Sequence, residues 1–185
     1  MRLEKITEEF GECCVIEWKS FLLRPYPERK SLDKFREYTE SWSRPAAEAE
    51  SGSFTVWSTD EAPPSHSVPP AIAAKAAARQ GTTAFARYHR ALMENYFHQN
   101  RNITEPQNLA RIAAETGLDV AAFLEALRDP ALGREVMDDH NQAVSMGISG
   151  VPTVVVDGRW QLTGAQPREI YRRIVELRLA EKSPG

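Results

Sequence analysis

Residues 147–163, GISGVPTVVVDGRWQLT, decide the fold that we expect for this chain of 185 amino acids. The β-branched run at residues 153–157 predicts a strand. Asp157 and Gly158 form a residue pair that is typical of a two-residue hairpin turn, so residues 159–163 are predicted to return as a second strand. A helix is predicted after this hairpin, with Pro167 in its first turn and apolar side chains at helical spacing from Ile170 to Leu177.

Pro152 stands at the first position of the predicted strand, where its missing N–H costs no ladder hydrogen bond. The bond between Val151 and Pro152 can be trans or cis, and only about 5–6% of X–Pro bonds in folded proteins are cis. The spacing alone therefore favours an ordinary trans proline. A cis bond, which would expose the backbone of Val151, stays open as the alternative.

The middle of the chain predicts helices alone. Glycines 81, 117 and 147 mark helix ends, and prolines 69, 70 and 106 fall in first helical turns. The predicted helices run over residues 67–81, 82–97, 104–117, 119–128 and 130–146. Tyr88, Tyr96 and Phe97 lie on one side of the second of these, and we expect them in the core, with substrate contact as the alternative.

The first sixty residues predict a mixture of elements. Residues 1–10 resemble the tail of a helix that begins too late, and residues 13–24, CCVIEWKSFLLR, predict a strand buried on both faces, as in a parallel sheet. A helix is predicted from Ser31, and residues 54–57 are expected to be extended. The strand at 13–24 has no evident neighbour, since one hairpin far along the chain cannot complete a parallel sheet around it.

This order resembles the DsbA-like thioredoxin-fold oxidoreductases, specifically the FrnE type. The stretches that carry the resemblance are IEWKSFLLRP (16–25), AFARYHRALMENYF (84–97), NRNIT (100–104) and GISGVPTVVVDGRWQLTGAQPREI (147–170). The resemblance implies an α/β, thioredoxin-like fold with an inserted all-helical subdomain. It divides the chain into an N-terminal part at residues 1–60, a helical insertion at 61–147 and a C-terminal ββα unit at 148–185.

The resemblance also implies a site. Pro152 would be the family's cis-proline, and the backbone of Val151 would pair with a thiol peptide, a disulfide substrate or glutathione as an added strand. Gly164, Ala165 and Gln166 would lie at the start of the last helix, where free N–H groups favour an anionic group. For Gln166 an ordinary helix-start residue is the alternative. Glutathione is the expected small thiol, and no permanently bound cofactor is implied.

The sequence departs from the family at its redox centre. The family carries Cys-x-x-Cys at the start of the first helix, after a first core strand, and RLEKITEEFG at residues 2–11 resembles the second half of that helix. The only two cysteines are Cys13 and Cys14, which we predict to be small buried residues on opposite faces of the strand. The sequence is therefore interpreted as N-terminally truncated, and as inactive in dithiol exchange without the missing part.

Charge, the lengths of apolar runs and the spacing of histidines argue against several classes of function. A formal net charge of −3 argues against nucleic-acid binding, and no apolar run is long enough to span a bilayer. No signal-peptide pattern is present, so we expect a cytoplasmic protein. His89 and His98 lie nine residues apart on one predicted helix, and His140 is expected on a solvated one. We therefore predict no metal site.

Two other functions remain open. Glutathione-dependent isomerases and kappa-type transferases resemble this architecture, with serine replacing the redox cysteine. Alternatively, the chain is a non-catalytic module that keeps the groove at Pro152 for binding peptides. Expected partners are thiol or disulfide proteins or small molecules. An unpaired interior sheet edge would also favour aggregation or homodimers.

Overall fold

The computed structural model describes residues 2–48 and 52–182. Within them, the N-terminal third contains α1 (Arg2–Phe10), a 3₁₀ turn (Gly11–Cys13), α2 (Leu32–Thr39), a second 3₁₀ turn (Glu40–Trp42) and α3 (Ser43–Ala46). Then follow α4 (Val68–Ala78), α5 (Thr82–Phe97), α6 (Pro106–Glu115), α7 (Val120–Leu127) and α8 (Pro130–Ser145). The chain continues with β1 (Thr153–Val156), β2 (Trp160–Thr163) and α9 (Arg168–Lys182). No described helix is both long and apolar enough to cross a membrane.

Helices α4 to α8 share one hydrophobic core. The alanine-rich α4 contributes Ala73, Ala76 and Ala77, whose small side chains let neighbouring helices approach closely, and α4 packs against α5, α7 and α8. The largest buried side chains of this shared core are Tyr88, Leu92, Ile112, Phe123 and Leu132. The Tyr88 hydroxyl donates to the carbonyl oxygen of Leu109 at 3.3 Å. The prediction that Tyr88 belongs to the core is confirmed.

An aromatic cluster joins the N-terminal third to α5. Phe35, Trp42 and Trp57 are buried in it, and Tyr96 and Phe97 of α5 pack against them. The backbone N–H of Trp57 donates to Thr39 Oγ1 at 3.0 Å, which holds the extended residues 54–57 against α2. Tyr96 and Phe97 therefore also lie in a packed interior, as predicted, and burial raises the pKa of Tyr96 to about 12.

Strands β1 and β2 form the predicted antiparallel hairpin, in which Thr153 pairs with Thr163 and Val156 with Trp160. Asp157 and Gly158 both have positive φ angles, of 49° and 67°. Because Val156 pairs with Trp160, three residues (157–159) connect the strands, so the predicted two-residue turn is one residue too short. Arg178 Nη2 and Lys182 Nζ of α9 lie 2.9 and 3.0 Å from the Asp157 carboxylate. The C-terminal helix is thereby fastened to the turn of the hairpin.

The predicted strand at residues 13–24 is not formed. Cys13 ends the 3₁₀ turn, and the following residues up to Arg24 belong to no helix and pair with no strand among the described residues. Only Leu22 is buried, whereas Val15 and Leu23 are 87% and 61% exposed. The prediction of burial on both faces is therefore wrong for this segment. The physical reason is that a strand needs a neighbouring strand, and no described strand lies beside this one.

Side chains of two helical regions take the place of a neighbouring strand on one edge of this segment. The backbone N–H groups of Ser20, Leu22 and Arg24 donate to Asp139 Oδ2 at 3.0 Å, His140 Nδ1 at 3.3 Å and Ser67 Oγ at 3.1 Å. These donors alternate along the chain, as they do along one edge of a strand. We call the side of residues 14–24 to which these three N–H groups point the capped edge, and the opposite side the open edge.

The expectation that His140 lies on a solvated helix is wrong, because its ring is partly buried and its neighbour Asp139 is buried. The Asp139 side chain is only 8% exposed, and its carboxylate lies 2.6 Å from Lys75 Nζ and 3.4 Å from Lys19 Nζ. Burial by itself raises the pKa of Asp139. The hydrogen bonds from Lys75 and Ser20, together with the Lys75 charge, outweigh burial and hold that pKa below its ordinary value.

Candidate functional site

The proline loop lies between α8 and β1. The Val151–Pro152 peptide bond is cis, as the resemblance implied, so the trans bond that the spacing alone favoured is wrong. The Thr153 hydroxyl donates to the carbonyl oxygen of Gly150 at 2.8 Å, which closes the loop on itself. Val151 is 52% exposed at its tip. The loop thus presents an exposed residue directly before a strand.

The turn formed by residues 164–166 lies beside this loop. Gly164 has a φ of +78°, a conformation that residues with a Cβ rarely adopt, and its N–H donates to the Pro152 carbonyl oxygen at 2.9 Å. The structure therefore brings Pro152 and Gly164 together across the open end of the hairpin.

Gln166 is held in place by three hydrogen bonds. Its backbone N–H donates to the Tyr171 hydroxyl at 3.1 Å, and its carbonyl oxygen accepts from Arg2 Nη1 at 3.2 Å. Its side-chain Nε2 donates to the Thr163 carbonyl oxygen at 2.7 Å. Helix α9 begins only at Arg168. Gln166 is therefore not the free N–H donor that we expected at the start of the helix.

Arg2 and Tyr171 are site residues that the sequence reasoning missed. Arg2 lies 164 positions from Gln166 along the chain, so no local pattern could have joined them. Tyr171 falls within the apolar stretch from Ile170 to Leu177, which by itself predicts only packing. A buried tyrosine usually finds a hydrogen-bond partner for its hydroxyl, and that rule was the available signal for Tyr171.

The two cysteines lie at the opposite end of α1 from Arg2. Cys13 is exposed and Cys14 is partly buried, so the prediction that both are buried strand residues is wrong. Burial, together with the neighbouring Cys13, raises the pKa of the Cys14 thiol. The C-terminal end of a helix carries partial negative charge, which disfavours a thiolate. The surroundings of Cys14 are thus the reverse of those that activate a redox cysteine.

The histidines occupy separate surroundings. His89 lies between the rings of Trp18 and Phe85, with centroid distances of 4.9 and 5.3 Å, and burial lowers the pKa of its imidazole. His98 Nδ1 lies 3.0 Å from Thr55 Oγ1, and His140 Nδ1 accepts from the backbone N–H of Leu22. The described part of the chain contains no group of three or more histidine, cysteine, aspartate or glutamate residues arranged to hold a metal ion.

Comparison with known families identifies the class of protein. The model of the DSBA-like thioredoxin domain family matches residues 1–176. The chain belongs to the DSBA-like thioredoxin domain family, as its helical insertion, hairpin and proline loop had indicated.

Curated relatives match a large part of this chain. The ClpXP adapter protein SpxH of Halalkalibacterium halodurans is 32% identical over 154 residues, which is 80% of this chain and 48% of the relative. SpxH of Bacillus subtilis is 28% identical over 143 residues, covering 74% of this chain and 48% of the relative. The chain thus spans about half the length of the curated relatives it matches.

Solved structures share the fold. A crystal structure from Nitrosomonas europaea superimposes with a TM-score of 0.79 at 15% identity, covering 98% of this chain and 90% of that chain. The cytosolic disulfide reductase DsbM from Pseudomonas aeruginosa gives a TM-score of 0.73 at 20% identity, covering 97% and 90%. These likenesses confirm the predicted thioredoxin-like fold.

Proposed function

We propose that this chain is the substrate-docking part of a FrnE-type thiol–disulfide oxidoreductase. In this proposal the Cys-x-x-Cys lies on a strand and turn that precede residue 1. Residues 1–60 and 148–185 then form the thioredoxin-like domain, and residues 61–147 are its helical insertion. Family membership supports the chemistry, and the edges of two extended segments support the missing strand.

The single observation that carries the proposal is the open edge of residues 14–24. Because Ser20, Leu22 and Arg24 donate toward the helices, the N–H groups of the residues between them point the opposite way. No described residue accepts from the N–H of Phe21 or Leu23. Backbone groups of this kind are normally paired, and one further strand would pair them.

The hairpin offers a second open edge. Strand β1 pairs with β2 on one side and with no described strand on the other. A strand that pairs with one of these edges would satisfy its free backbone groups, and a strand beside residues 14–24 would cover exposed apolar side chains such as Val15. It would also enter α1 from its N-terminal end, where the resemblance puts the redox cysteines.

The proposed mechanism is two successive thiol–disulfide exchanges. The thiolate of the first redox cysteine attacks one sulfur of a substrate disulfide, which forms a mixed disulfide and releases the other substrate sulfur as a thiolate. The second cysteine then attacks the mixed disulfide at the first cysteine. The substrate leaves reduced, its thiolates take protons from solvent, and the protein keeps the disulfide.

This chain's residues would hold the substrate during the exchange. The backbone of Val151 would pair with an extended thiol peptide, as in strand addition to a sheet edge. Pro152, Gly164, Ala165 and Gln166 would form the wall beside the mixed disulfide. The hydrogen bond from the Gly164 N–H to the Pro152 carbonyl oxygen holds the turn at residues 164–166 against the proline loop.

The relatives support thiol compounds as partners. DsbM is described as a cytosolic disulfide reductase, and one of its structures includes GSH. We propose glutathione or a cysteine-containing protein as the substrate and the cytoplasm as the location. SpxH is described as an adapter of ClpXP, which supports peptide binding without catalysis as the second candidate.

The test compares the native protein, purified from its source cells, with the chain of residues 1–185. Each is first reduced and then incubated with glutathione disulfide, and the release of reduced glutathione is followed by chromatography. Binding of a reduced cysteine peptide is measured separately. We expect exchange by the native protein only, unaffected by Cys13→Ser and Cys14→Ser substitutions. Exchange by residues 1–185 that is lost in those two variants would overturn the proposal, and peptide binding without exchange by the native protein would favour the adapter-like candidate.

A further inference from the structure

Gln166 is fixed at both of its backbone groups, and this decides what it can offer a ligand. Tyr171 takes its N–H, and Arg2 donates to its carbonyl oxygen. The Tyr171 side chain is buried and Arg2 is largely buried, so these contacts hold the turn from α9 and from α1. A ligand cannot use the backbone of Gln166 without displacing one of these partners.

The side chain of Gln166 offers an acceptor. Its Nε2 donates to the Thr163 carbonyl oxygen at 2.7 Å, which fixes the orientation of the amide group. Among the described residues none donates to its Oε1. An amide oxygen accepts up to two hydrogen bonds, so Oε1 is available to an N–H or O–H donor and not to an anion.

The surroundings favour a neutral donor. The guanidinium of Arg2 lies against the Gln166 carbonyl, and Arg168 follows two residues later. Arg2 is itself paired with the Glu48 carboxylate at 3.3 Å, so its charge at this turn is largely balanced and favours neither an anion nor a cation. A backbone amide N–H carries no net charge and suits this acceptor. The hydrogen bond from the Gly164 N–H to the Pro152 carbonyl oxygen joins the turn that holds Gln166 to the loop that holds Val151.

We propose that Gln166 determines specificity by accepting, through Oε1, a backbone N–H of the thiol peptide that docks along Val151, with Arg2 and Tyr171 as positioning residues. This inference rests on the proposed function, since it assumes that a thiol peptide occupies the proline loop. It changes the expected chemistry of the turn, from recognition of an anionic group to recognition of a peptide amide. The ligand class is therefore a peptide, and a free thiol without amide groups is disfavoured.

The test uses N-methyl scanning on the native protein. The probes are acetyl-Ala-Cys-Ala amide and three versions of it, each with a single backbone N–H methylated, and binding is measured by calorimetry. We expect one methylation to weaken binding to the wild type about tenfold, the size of one hydrogen bond. In Gln166→Leu the same methylation should not change binding. In Gln166→Glu, which keeps an acceptor, and in the control Gln161→Leu it should still weaken binding.

The positioning residues are tested by the same comparison, that of the binding of the methylated and the unmethylated peptide. Tyr171→Phe removes the hydroxyl that accepts the Gln166 N–H, so we expect faster hydrogen exchange at that amide and a smaller methylation effect. Equal methylation effects in the wild type and Gln166→Leu would overturn the inference while leaving peptide docking intact. Failure of the unmethylated peptide to bind the wild type would instead overturn docking at the proline loop, and with it the proposed function.

Discussion

At the scale of single residues, Asp139 is the most heavily used carboxylate in the protein's interior. Its oxygens accept from the Ser20 N–H and lie within ion-pair distance of Lys75 and Lys19. One side chain thus connects α8, α4 and the extended residues 14–24. Sequence reasoning could not find this cluster, because Ser20 and Asp139 are 119 positions apart and a lone aspartate on a helix is usually solvated.

Asp139→Asn is expected to lower the free energy of unfolding by about 1–3 kcal/mol, because it leaves the half-buried Lys75 charge without its partner. Urea unfolding at neutral pH measures the change. Asp138→Asn, one residue away on the exposed side of α8, is the matched control and should cost less than about 0.5 kcal/mol. Equal losses in the two variants would contradict the role given to Asp139.

The same carboxylate predicts a dependence on pH. Because its pKa is lower in the folded protein than its ordinary value of 3.8, the ionised form is bound more favourably in the folded state. Its contribution to stability is therefore complete above that ordinary value and is lost as the pH falls through the folded pKa. Urea midpoints of the wild type and Asp139→Asn, measured from pH 6 down to pH 3, should converge toward acid. A constant difference between them would exclude this origin.

At the scale of elements, the helices followed their local signals closely. Asp119 Oδ1 accepts from the Ala122 N–H at 3.0 Å and Asp129 Oδ1 from the Ala131 N–H at 2.8 Å, so the starts of α7 and α8 were predictable from single capping residues. Glycines 81, 117 and 147 have positive φ angles at the predicted helix boundaries. Short-range chemistry therefore sufficed for these elements.

The failure at residues 13–24 shows the limit of such signals. β-Branched and aromatic residues favour a strand, but a strand is stabilised by its neighbours more than by its own side chains. The hairpin carried its partner within ten residues, whereas the partner of residues 14–24 is not among the described residues. For the same reason the cis-proline loop and the Gly164 turn were predictable, while their ties to Arg2 and Tyr171 were not.

Two glycine substitutions should have opposite effects. Gly133 lies inside α8, where an added Cβ would meet Ile72 Cδ1 at an ordinary 3.9 Å, so Gly133→Ala should raise the free energy of unfolding by about 0.5–1 kcal/mol. Gly158→Ala places a Cβ at a φ of +67° and should lower it by about 1–2 kcal/mol. Thermal and urea unfolding measure both. Effects of the same sign would contradict the helix and turn assignments.

At the scale of the whole molecule, the open edges of β1 and residues 14–24 are the main departure from a self-sufficient fold. Exposed apolar residues accompany them, notably Val15, Leu23 and Val151. An unpaired edge of this kind recruits another strand, either from its own chain or from another copy. The proposed function therefore predicts that the isolated chain associates with itself.

The chain of residues 1–185, expressed alone, should therefore associate with itself. Leu23→Lys puts a charge beside the open edge and should weaken self-association about tenfold, as measured by sedimentation equilibrium. Leu177→Lys, at a similarly exposed leucine on α9, is the matched control and should leave association unchanged. Equal weakening by both substitutions, or a monomer at all concentrations, would contradict association through the open edge.

The most direct test of the central claim is the intact mass of the native protein from its source cells. We predict a mass clearly above the 20.8 kDa of this chain, because a strand of roughly 5–6 residues and a redox turn would precede residue 1. Sequencing of the extra segment should find a Cys-x-x-Cys. A native mass of 20.8 kDa would contradict the account, and the groove at Pro152 would then belong to a protein that binds peptides without exchanging disulfides through that motif.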